Sequence, residues 1–143
     1  MTTGNLFLAG SVLFLAAVIY IIFKYQPRNL KQIQYQDNWK EVQSYCRDKA
    51  TWPKALEEAD VLLKSALKKR RFKGKSMGEK MVSAQRLFTD NDSLWYAHNL
   101  CKKVIAVDSK KRLKESEVKD ALVGYRQALR DLGALPKDGS SKA

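Results

Sequence analysis

Hydrophobic and polar positions divide the chain into one uninterrupted apolar segment and a longer region with helical periodicity. The apolar segment runs from Leu6 to Phe23, 18 residues that are interrupted only by Ser11 and the phenol of Tyr20. As a helix that rises about 1.5 Å per residue, it spans roughly 27 Å, close to the hydrocarbon thickness of a bilayer. The pattern therefore predicts a transmembrane anchor over residues 1–24.

Charges beside this segment predict how the anchor is oriented. No Lys or Arg precedes it, whereas Lys24, Arg28 and Lys31 follow it directly. Cationic residues favour the cytoplasmic side, so we expect an N-out helix in the plasma (inner) membrane and a cytoplasmic soluble domain. Two rival interpretations fit less well, because a cleaved signal peptide needs a basic start and a shorter apolar core, and a buried core helix needs partners on every side.

Apolar residues recur at intervals of three and four along the rest of the chain, which is typical of amphipathic helices. A connector is predicted over 25–35, where Pro27 lies, and five apolar patterns follow it. They are Tyr35, Trp39, Val42 and Cys46; Trp52, Ala55, Leu56, Ala59, Leu62, Leu63, Ala66 and Leu67; Met77, Met81, Ala84 and Phe88; Leu94, Ala97, Cys101, Val104 and Ile105; and Val118, Ala121, Leu122, Tyr125, Ala128, Leu129 and Leu132. The predicted fold is all-α: the transmembrane helix, a four- to five-helix up-and-down bundle over 36–135, and a disordered tail over 136–143.

Residues at the predicted helix boundaries are of the kinds that cap helices. Thr51 stands two residues before Pro53 and is the predicted N-cap of the second helix. Ser76 and Glu79 have the spacing of a capping box for the third helix. Gly133 follows the last apolar position and predicts a left-handed residue that ends the fifth helix.

Residues capable of catalysis or metal binding are few. Two cysteines, Cys46 and Cys101, and one histidine, His98, have neither the number nor the spacing of a disulfide framework or a metal site. We therefore expect buried reduced thiols, no metal and no cofactor, with His98 making a structural hydrogen bond between helices. Three acids near the start of the second helix are expected to face the helix dipole and solvent. They are Glu57, Glu58 and Asp60.

Scattered positions between about residues 50 and 135 carry a family resemblance. They are Trp52, Ala55, Glu58, Ala59, Asp60, Leu63, Ser76 to Met81, Leu94 to Leu100, Ala121, Leu122, Tyr125, Ala128, Leu129 and Asp131 to Leu135. This pattern resembles a group of small bacterial proteins with an N-terminal anchor and a helical domain similar to the HEPN superfamily. The resemblance implies a HEPN-like bundle.

The same resemblance argues against catalysis. Ribonucleases of the HEPN superfamily use an Arg-x4–6-His motif, which in the resembling group follows an Ala-His pair. In this chain Cys101 stands at the Arg position, Lys102 at the next motif position, and Ala106 nearest to the expected His. The resemblance therefore implies the fold without the nuclease, and we expect a protein that is not an enzyme, the alternative being a divergent ribonuclease.

Positive charge is concentrated in two short segments. The chain has 27 basic and 15 acidic residues, a formal charge of +12, of which two clusters hold +11. The first basic cluster is Lys68, Lys69, Arg70, Arg71, Lys73 and Lys75; the second basic cluster is Lys102, Lys103, Lys110, Lys111, Arg112 and Lys114, with Asp108 among them. The clusters follow the second and fourth predicted helices, which finish at the same end of an up-and-down bundle. We therefore expect one basic surface that faces the membrane.

The expected function follows from this surface. Each Lys or Arg close to an anionic leaflet contributes about 1 kcal/mol, so the clusters are expected to bind the inner leaflet. The sequence predicts a non-catalytic single-pass membrane protein whose basic cytoplasmic domain is a binding or scaffolding module. The alternative is a membrane-tethered RNA-binding protein with a degenerate HEPN-type domain, in which Phe72 offers a stacking face. The sequence specifies neither a protein partner nor an oligomeric state.

Overall fold

The computed structural model describes residues 3–25, 30–106 and 112–137, and the regular secondary structure of these residues is entirely helical. The helices are α1 (Thr3–Tyr25), α2 (Gln32–Tyr45), α3 (Trp52–Lys69), α4 (Met77–Ser83), α5 (Asn91–Ile105) and α6 (Glu115–Asp131). A short 3-10 helix, Lys49–Thr51, leads into α3. The all-α fold predicted from the periodicity is confirmed.

By length and composition, α1 is able to cross a membrane. Its stretch Thr3–Lys24 has a mean hydropathy of 2.7, and none of its most apolar window is buried against other described residues. Phe7, Leu13 and Phe23 are 71–78% exposed. A helix that is apolar on every side is stable only where something apolar surrounds it, and the described part of the bundle does not cover α1.

α2, α4, α5 and α6 pack around α3. Its predicted apolar stripe is buried, and the buried members are Ala55, Leu56, Ala59, Leu62, Leu63, Ala66 and Leu67. The predicted stripes of α2 and α6 also face this core, which the sequence pattern therefore identifies correctly. The exceptions are Cys46, Trp52 and Val104 near helix ends and Leu122 in the middle of α6, which are half-buried, and Ile105, which is 51% exposed.

Hydrogen bonds between helices define the directions of α2, α3 and α6. Tyr35 Oη lies 3.2 Å from Ser65 Oγ, which places the beginning of α2 beside the end of α3. Arg70 Nη1 donates to the backbone oxygen of Leu132 at 3.0 Å, which places the ends of α3 and α6 together. Hence α3 and α6 run in one direction and α2 in the other.

The predicted up-and-down bundle forms from four long helices, α2, α3, α5 and α6, because the third predicted helix is too short to cross it. α4 has seven residues and spans about 10 Å, whereas α3 has 18 residues and spans about 27 Å. The chain therefore enters α5 near the end of α3, where the Thr89 backbone N–H donates to Asp131 Oδ2 at 2.9 Å. At the other end Cys101 Sγ lies 3.6 Å from the Leu56 carbonyl oxygen. α5 thus runs antiparallel to α3.

Of two predicted N-caps, one forms with an altered partner and the other does not form. Ser76 Oγ accepts a hydrogen bond from the Glu79 backbone N–H at 3.2 Å, as the capping box requires. Glu79 Oε2 accepts from the Lys75 backbone N–H at 2.7 Å, one residue earlier than predicted. Thr51 stands at the N-cap of α3 without capping it, because its hydroxyl donates to the Tyr45 carbonyl oxygen at 2.6 Å.

The predicted boundaries differ most near the connector. α2 begins at Gln32, within the segment assigned to the connector, while residues 26–29 lie outside the described residues. Gly133 adopts a φ of +80° directly after the C-cap of α6, which agrees with the predicted helix end. The predicted tail lies largely outside the described residues, which end at 137.

α5 and α6 approach each other closely at Gly124. A Cβ atom on this glycine would lie 2.7 Å from the Ser93 carbonyl oxygen, which is too short for any side chain. The position therefore requires glycine because of packing between the two helices, although glycine weakens a helix by about 1 kcal/mol relative to alanine.

We expect Gly124→Ala to lower the free energy of unfolding by about 1–2 kcal/mol, because overpacking outweighs the gain in helix propensity. Urea unfolding of the full chain in mild detergent, followed by circular dichroism, measures the change. Gly78→Ala is the matched control, since its Cβ would meet Trp95 at an ordinary 3.4 Å. A Gly124→Ala protein as stable as the parent would contradict this account of the helix contact.

Candidate functional site

The two basic clusters lie at opposite ends of the bundle, which corrects the single surface expected from the sequence. The first basic cluster follows α3, at the end where α6 finishes and α2 begins. The described members of the second basic cluster lie at the other end and are Lys102, Lys103, Arg112 and Lys114, whereas Lys110 and Lys111 lie outside the described residues. The expectation fails because it required α4 to traverse the bundle.

Helix length gives the distance between the two ends. α6 has 17 residues and connects the end that carries Lys114 to the end where Leu132 accepts the Arg70 hydrogen bond. At about 1.5 Å per residue, the clusters are separated by roughly 25 Å. The two clusters therefore cannot contact one flat surface together when the bundle stands on either end.

The first basic cluster contacts the end of α1. Arg71 Nη1 donates to the Lys24 carbonyl oxygen at 2.9 Å, in the last turn of α1, where helix carbonyls lack intrahelical partners. Arg71 itself adopts a left-handed φ of +64°, and the Phe72 backbone N–H returns to the Leu67 carbonyl oxygen at 3.1 Å. Glycine is usual at such a helix end, so arginine here costs conformational energy and gains a side chain that reaches α1.

Charges in the first basic cluster are exposed and uncompensated. Five of its members are exposed and Arg70 is half-buried. Within the described residues, the two ion pairs closer than 4 Å are Lys54 with Glu58 and His98 with Asp60, and neither involves this cluster. The end of the bundle near α1 therefore has a positive potential that is available to an anion outside the protein.

A groove of about 980 Å³ opens at this same end, between the beginning of α2 and the ends of α3 and α6. Its charged lining residues are Lys31, Arg70, Arg130 and Lys137, together with Asp37 and Asp131. Gln32 Nε2 crosses the groove to the Gly133 carbonyl oxygen at 3.2 Å, so side-chain contacts join its walls. The sequence does not predict this groove, because its walls come from three segments that are distant along the chain.

Phe72 has a different environment from the one expected of a base-stacking residue. Its ring is half-buried against the core, and the Arg70 guanidinium carbon lies 5.8 Å from the ring centroid. A nucleotide base would have to displace these contacts before it could stack on Phe72.

A hydrogen-bonded network links α3, α5 and α6 in the interior. His98 Nδ1 lies 2.9 Å from Asp60 Oδ1, and Tyr125 Oη donates to the same oxygen at 2.8 Å. His98 is 7% exposed and Tyr125 is fully buried. This is the interhelical contact predicted for His98, and neither the 980 Å³ groove nor a second groove of about 410 Å³ includes these residues.

Asp60 differs from the sequence prediction, which placed it with Glu57 and Glu58 in solvent. It is half-buried and accepts the hydrogen bonds of His98 and Tyr125. The signal was present in the sequence, because Asp60 lies four residues after Leu56 and three before Leu63, on the edge of the apolar stripe.

The environment of this network favours neutral groups. Burial, and after it the charge of Asp60, raises the pKa of Tyr125 well above its ordinary range. Burial also raises the pKa of the Cys101 thiol to about 12. Cys101 is therefore a buried, uncharged thiol. Within the described residues, no group of three or more His, Cys, Asp or Glu side chains could hold a metal ion.

We expect Tyr125→Phe to lower the free energy of unfolding by about 1–3 kcal/mol, because the half-buried Asp60 loses a donor. Tyr45→Phe is the control, since the Tyr45 hydroxyl meets Glu41 at 3.3 Å on the exposed face of α2. Denaturant unfolding of both full-length variants in the same detergent measures the difference. Equal stability of the two variants would show that the interior hydrogen bond contributes nothing.

Comparisons of this chain with protein-family models, with curated proteins and with solved structures find no match.

Proposed function

We propose that this chain is a single-pass protein of the plasma (inner) membrane whose cytoplasmic helical domain is a non-catalytic binding or scaffolding module, held against the anionic inner leaflet. The observation that carries the proposal is the position of the first basic cluster, which lies at the end of the bundle where the chain arrives from α1. An exposed, unpaired cationic surface beside a membrane anchor is suited to anionic headgroups.

Chain length supports this placement independently of the contact between Arg71 and Lys24. Tyr25 ends α1 and Gln32 begins α2, so seven peptide steps separate them. Even a fully extended chain would span no more than about 25 Å over that distance. The beginning of α2, and with it the end of α3, is therefore held close to the membrane by the anchor.

The distance between the clusters gives them different roles. Attraction to a charged leaflet decays over a Debye length of about 8–10 Å, and the second basic cluster lies roughly 25 Å beyond the first. The first basic cluster thus supplies the attraction to lipid. The second basic cluster is presented to the cytoplasm, where it suits an acidic partner.

The non-catalytic part of the proposal rests on the interior chemistry. Catalysis by a HEPN-type nuclease needs a cation and a histidine that reach the substrate, whereas Cys101 is buried and His98 is held by Asp60. These residues join helices and do not line a groove that could admit RNA.

A second candidate is a membrane-tethered RNA-binding protein with a degenerate HEPN-type domain. The second basic cluster favours it, because its described members are exposed, lie at the end of the bundle away from α1 and are available for phosphate contacts. Gel shifts of the full chain at two salt concentrations test it. Salt-sensitive binding that Lys102→Gln with Lys103→Gln weakens would support RNA binding, and absence of binding at low salt would remove it.

We expect the full chain of 16.3 kDa to remain in the membrane fraction after alkaline extraction, with a C-terminal tag on the cytoplasmic side. The reason is that α1 is apolar over its whole surface and precedes a basic flank. Intact-mass measurement and protease protection of sealed vesicles provide the readouts. A protein recovered without its first helix would instead identify α1 as a cleaved signal sequence.

We expect anionic lipid to slow amide hydrogen exchange at residues 68–75 of the full chain in nanodiscs, relative to phosphatidylcholine alone. Lipid headgroups that neutralise the first basic cluster should cover its backbone, while residues 102–106 should exchange equally in both lipids. Phosphatidylglycerol mixed with phosphatidylcholine is the anionic sample.

Two double variants that remove the same charge serve as matched tests of this prediction. Lys68→Gln with Lys69→Gln should weaken the lipid-dependent protection, because these lysines are two of the exposed cations of the first basic cluster. Lys102→Gln with Lys103→Gln should preserve it, because that cluster lies beyond the reach of the leaflet. Equal effects of the two pairs would refute the proposed orientation of the domain.

A further inference from the structure

We propose that the groove between the beginning of α2 and the ends of α3 and α6 binds the phosphate-bearing headgroup of one anionic phospholipid. This inference rests on the proposed function, since it requires the domain to sit at the leaflet, and it names the lipid site within that contact. Arg70 is the one member of the first basic cluster that also lines this groove, and the other members lie outside it.

The groove has an excess of positive charge, which suits a phosphate whose lipid headgroup carries no cation of its own. Four cationic side chains and two carboxylates line it. Asp131 accepts from neutral donors, the Thr89 backbone N–H at 2.9 Å and Gln127 Nε2 at 3.0 Å, so four cationic side chains against two carboxylates leave a formal charge of +2. Cationic side chains form charge-assisted hydrogen bonds to phosphate, and arginine does so with two parallel donors.

Apolar side chains at the rim of the groove are suited to contact the glycerol and the first acyl carbons of a phospholipid. Among large apolar residues that the structure describes outside α1, Ile33 is the most exposed, at 77%. Leu30 beside it is half-buried, and both residues line the groove. A soluble phosphate ester would leave Ile33 in water, whereas a phospholipid would cover it with its glycerol and first acyl carbons.

The position of the groove matches the level at which a headgroup lies. Leu30 follows the last residue of α1, Tyr25, by five peptide steps, which limits the distance between them to about 18 Å. Arg70 in the groove is adjacent to Arg71, whose side chain reaches the Lys24 carbonyl oxygen at the end of α1. The groove therefore opens beside the point where the anchor leaves the membrane.

The volume and charge of the groove also indicate which lipids it selects. At about 980 Å³ it lies at the upper end of the range of roughly 300–1,000 Å³ typical of ligand pockets, enough for a headgroup and its glycerol. A zwitterionic lipid would bring an ammonium group into a groove whose formal charge is already positive, which disfavours it relative to an anionic lipid. Phosphatidylglycerol has the phosphate without the ammonium group and fits the site.

Native mass spectrometry of the detergent-solubilised full chain tests this site. We expect one phosphatidylglycerol to remain bound with an affinity at least about tenfold above that of phosphatidylcholine, as one additional charge-assisted hydrogen bond would produce. Lys31→Gln and Arg70→Gln should each remove most of this preference. Lys31 is exposed, so its variant retains the fold even if the loss of the Arg70 bond to Leu132 destabilises the domain.

Lys68→Gln with Lys69→Gln is the control, because it removes charge from the same end but outside the groove. Retention of lipid preference in this control, with its loss in Lys31→Gln, supports the site. A Lys31→Gln protein that still prefers phosphatidylglycerol to phosphatidylcholine would overturn the proposed lipid site. The proposed function would survive that result if anionic lipid still protects the amides of residues 68–75 in nanodiscs. Glycerol phosphate or an RNA oligonucleotide that binds the groove as tightly as the lipid would overturn the assignment to phospholipid.

Discussion

Every long helix of the bundle packs on α3, so the direction of each helix relative to α3 decides which residues share an end of the domain. The apolar stripe of α3 is buried from Ala55 to Leu67, and burial of such side chains is the main favourable term in folding. α6 runs parallel to α3, while α2 and α5 run against it. This arrangement brings the first basic cluster next to α1 and places the second basic cluster at the far end.

The buried face of each helix could be predicted from the sequence, whereas the direction in which each helix crosses the bundle could not. The spacing of Leu56, Leu63 and Leu67 identifies a buried helix face, because periodicity is a local property. The length of α4 could not be predicted in this way. Ala84 and Phe88 continue its apolar pattern and are buried, although the helix ends at Ser83. A turn that buries apolar side chains has the same signature as a helix, and this one ambiguity reverses α5 and separates the two clusters.

In the interior hydrogen-bonded network, the role of His98 could be predicted from the sequence, but its partner could not. His98 is predicted to bond between helices because a lone buried histidine needs a partner, but the partner comes from α3, 38 residues away. Asp60 forms its hydrogen bonds to His98 and Tyr125 in one alignment of α3, α5 and α6. A helix shifted along its axis would leave Asp60 without these donors in an otherwise apolar interface. Apolar stripes alone tolerate sliding by a helical turn, so the network is a means of holding the antiparallel arrangement on which the placement of charge depends.

The first basic cluster contains more cations than helix stability requires. Cationic side chains in the last turn stabilise a helix through its dipole, and Lys68 and Lys69 satisfy that need for α3. Arg71, Lys73 and Lys75 lie beyond the helix end, where the dipole effect has decayed, and Arg71 occupies a backbone conformation in which glycine would cost less. Repulsion among these side chains opposes folding, so helix stability alone does not account for their joint presence. These cations lie beside the end of α1, where the Arg71 side chain donates to the Lys24 carbonyl oxygen.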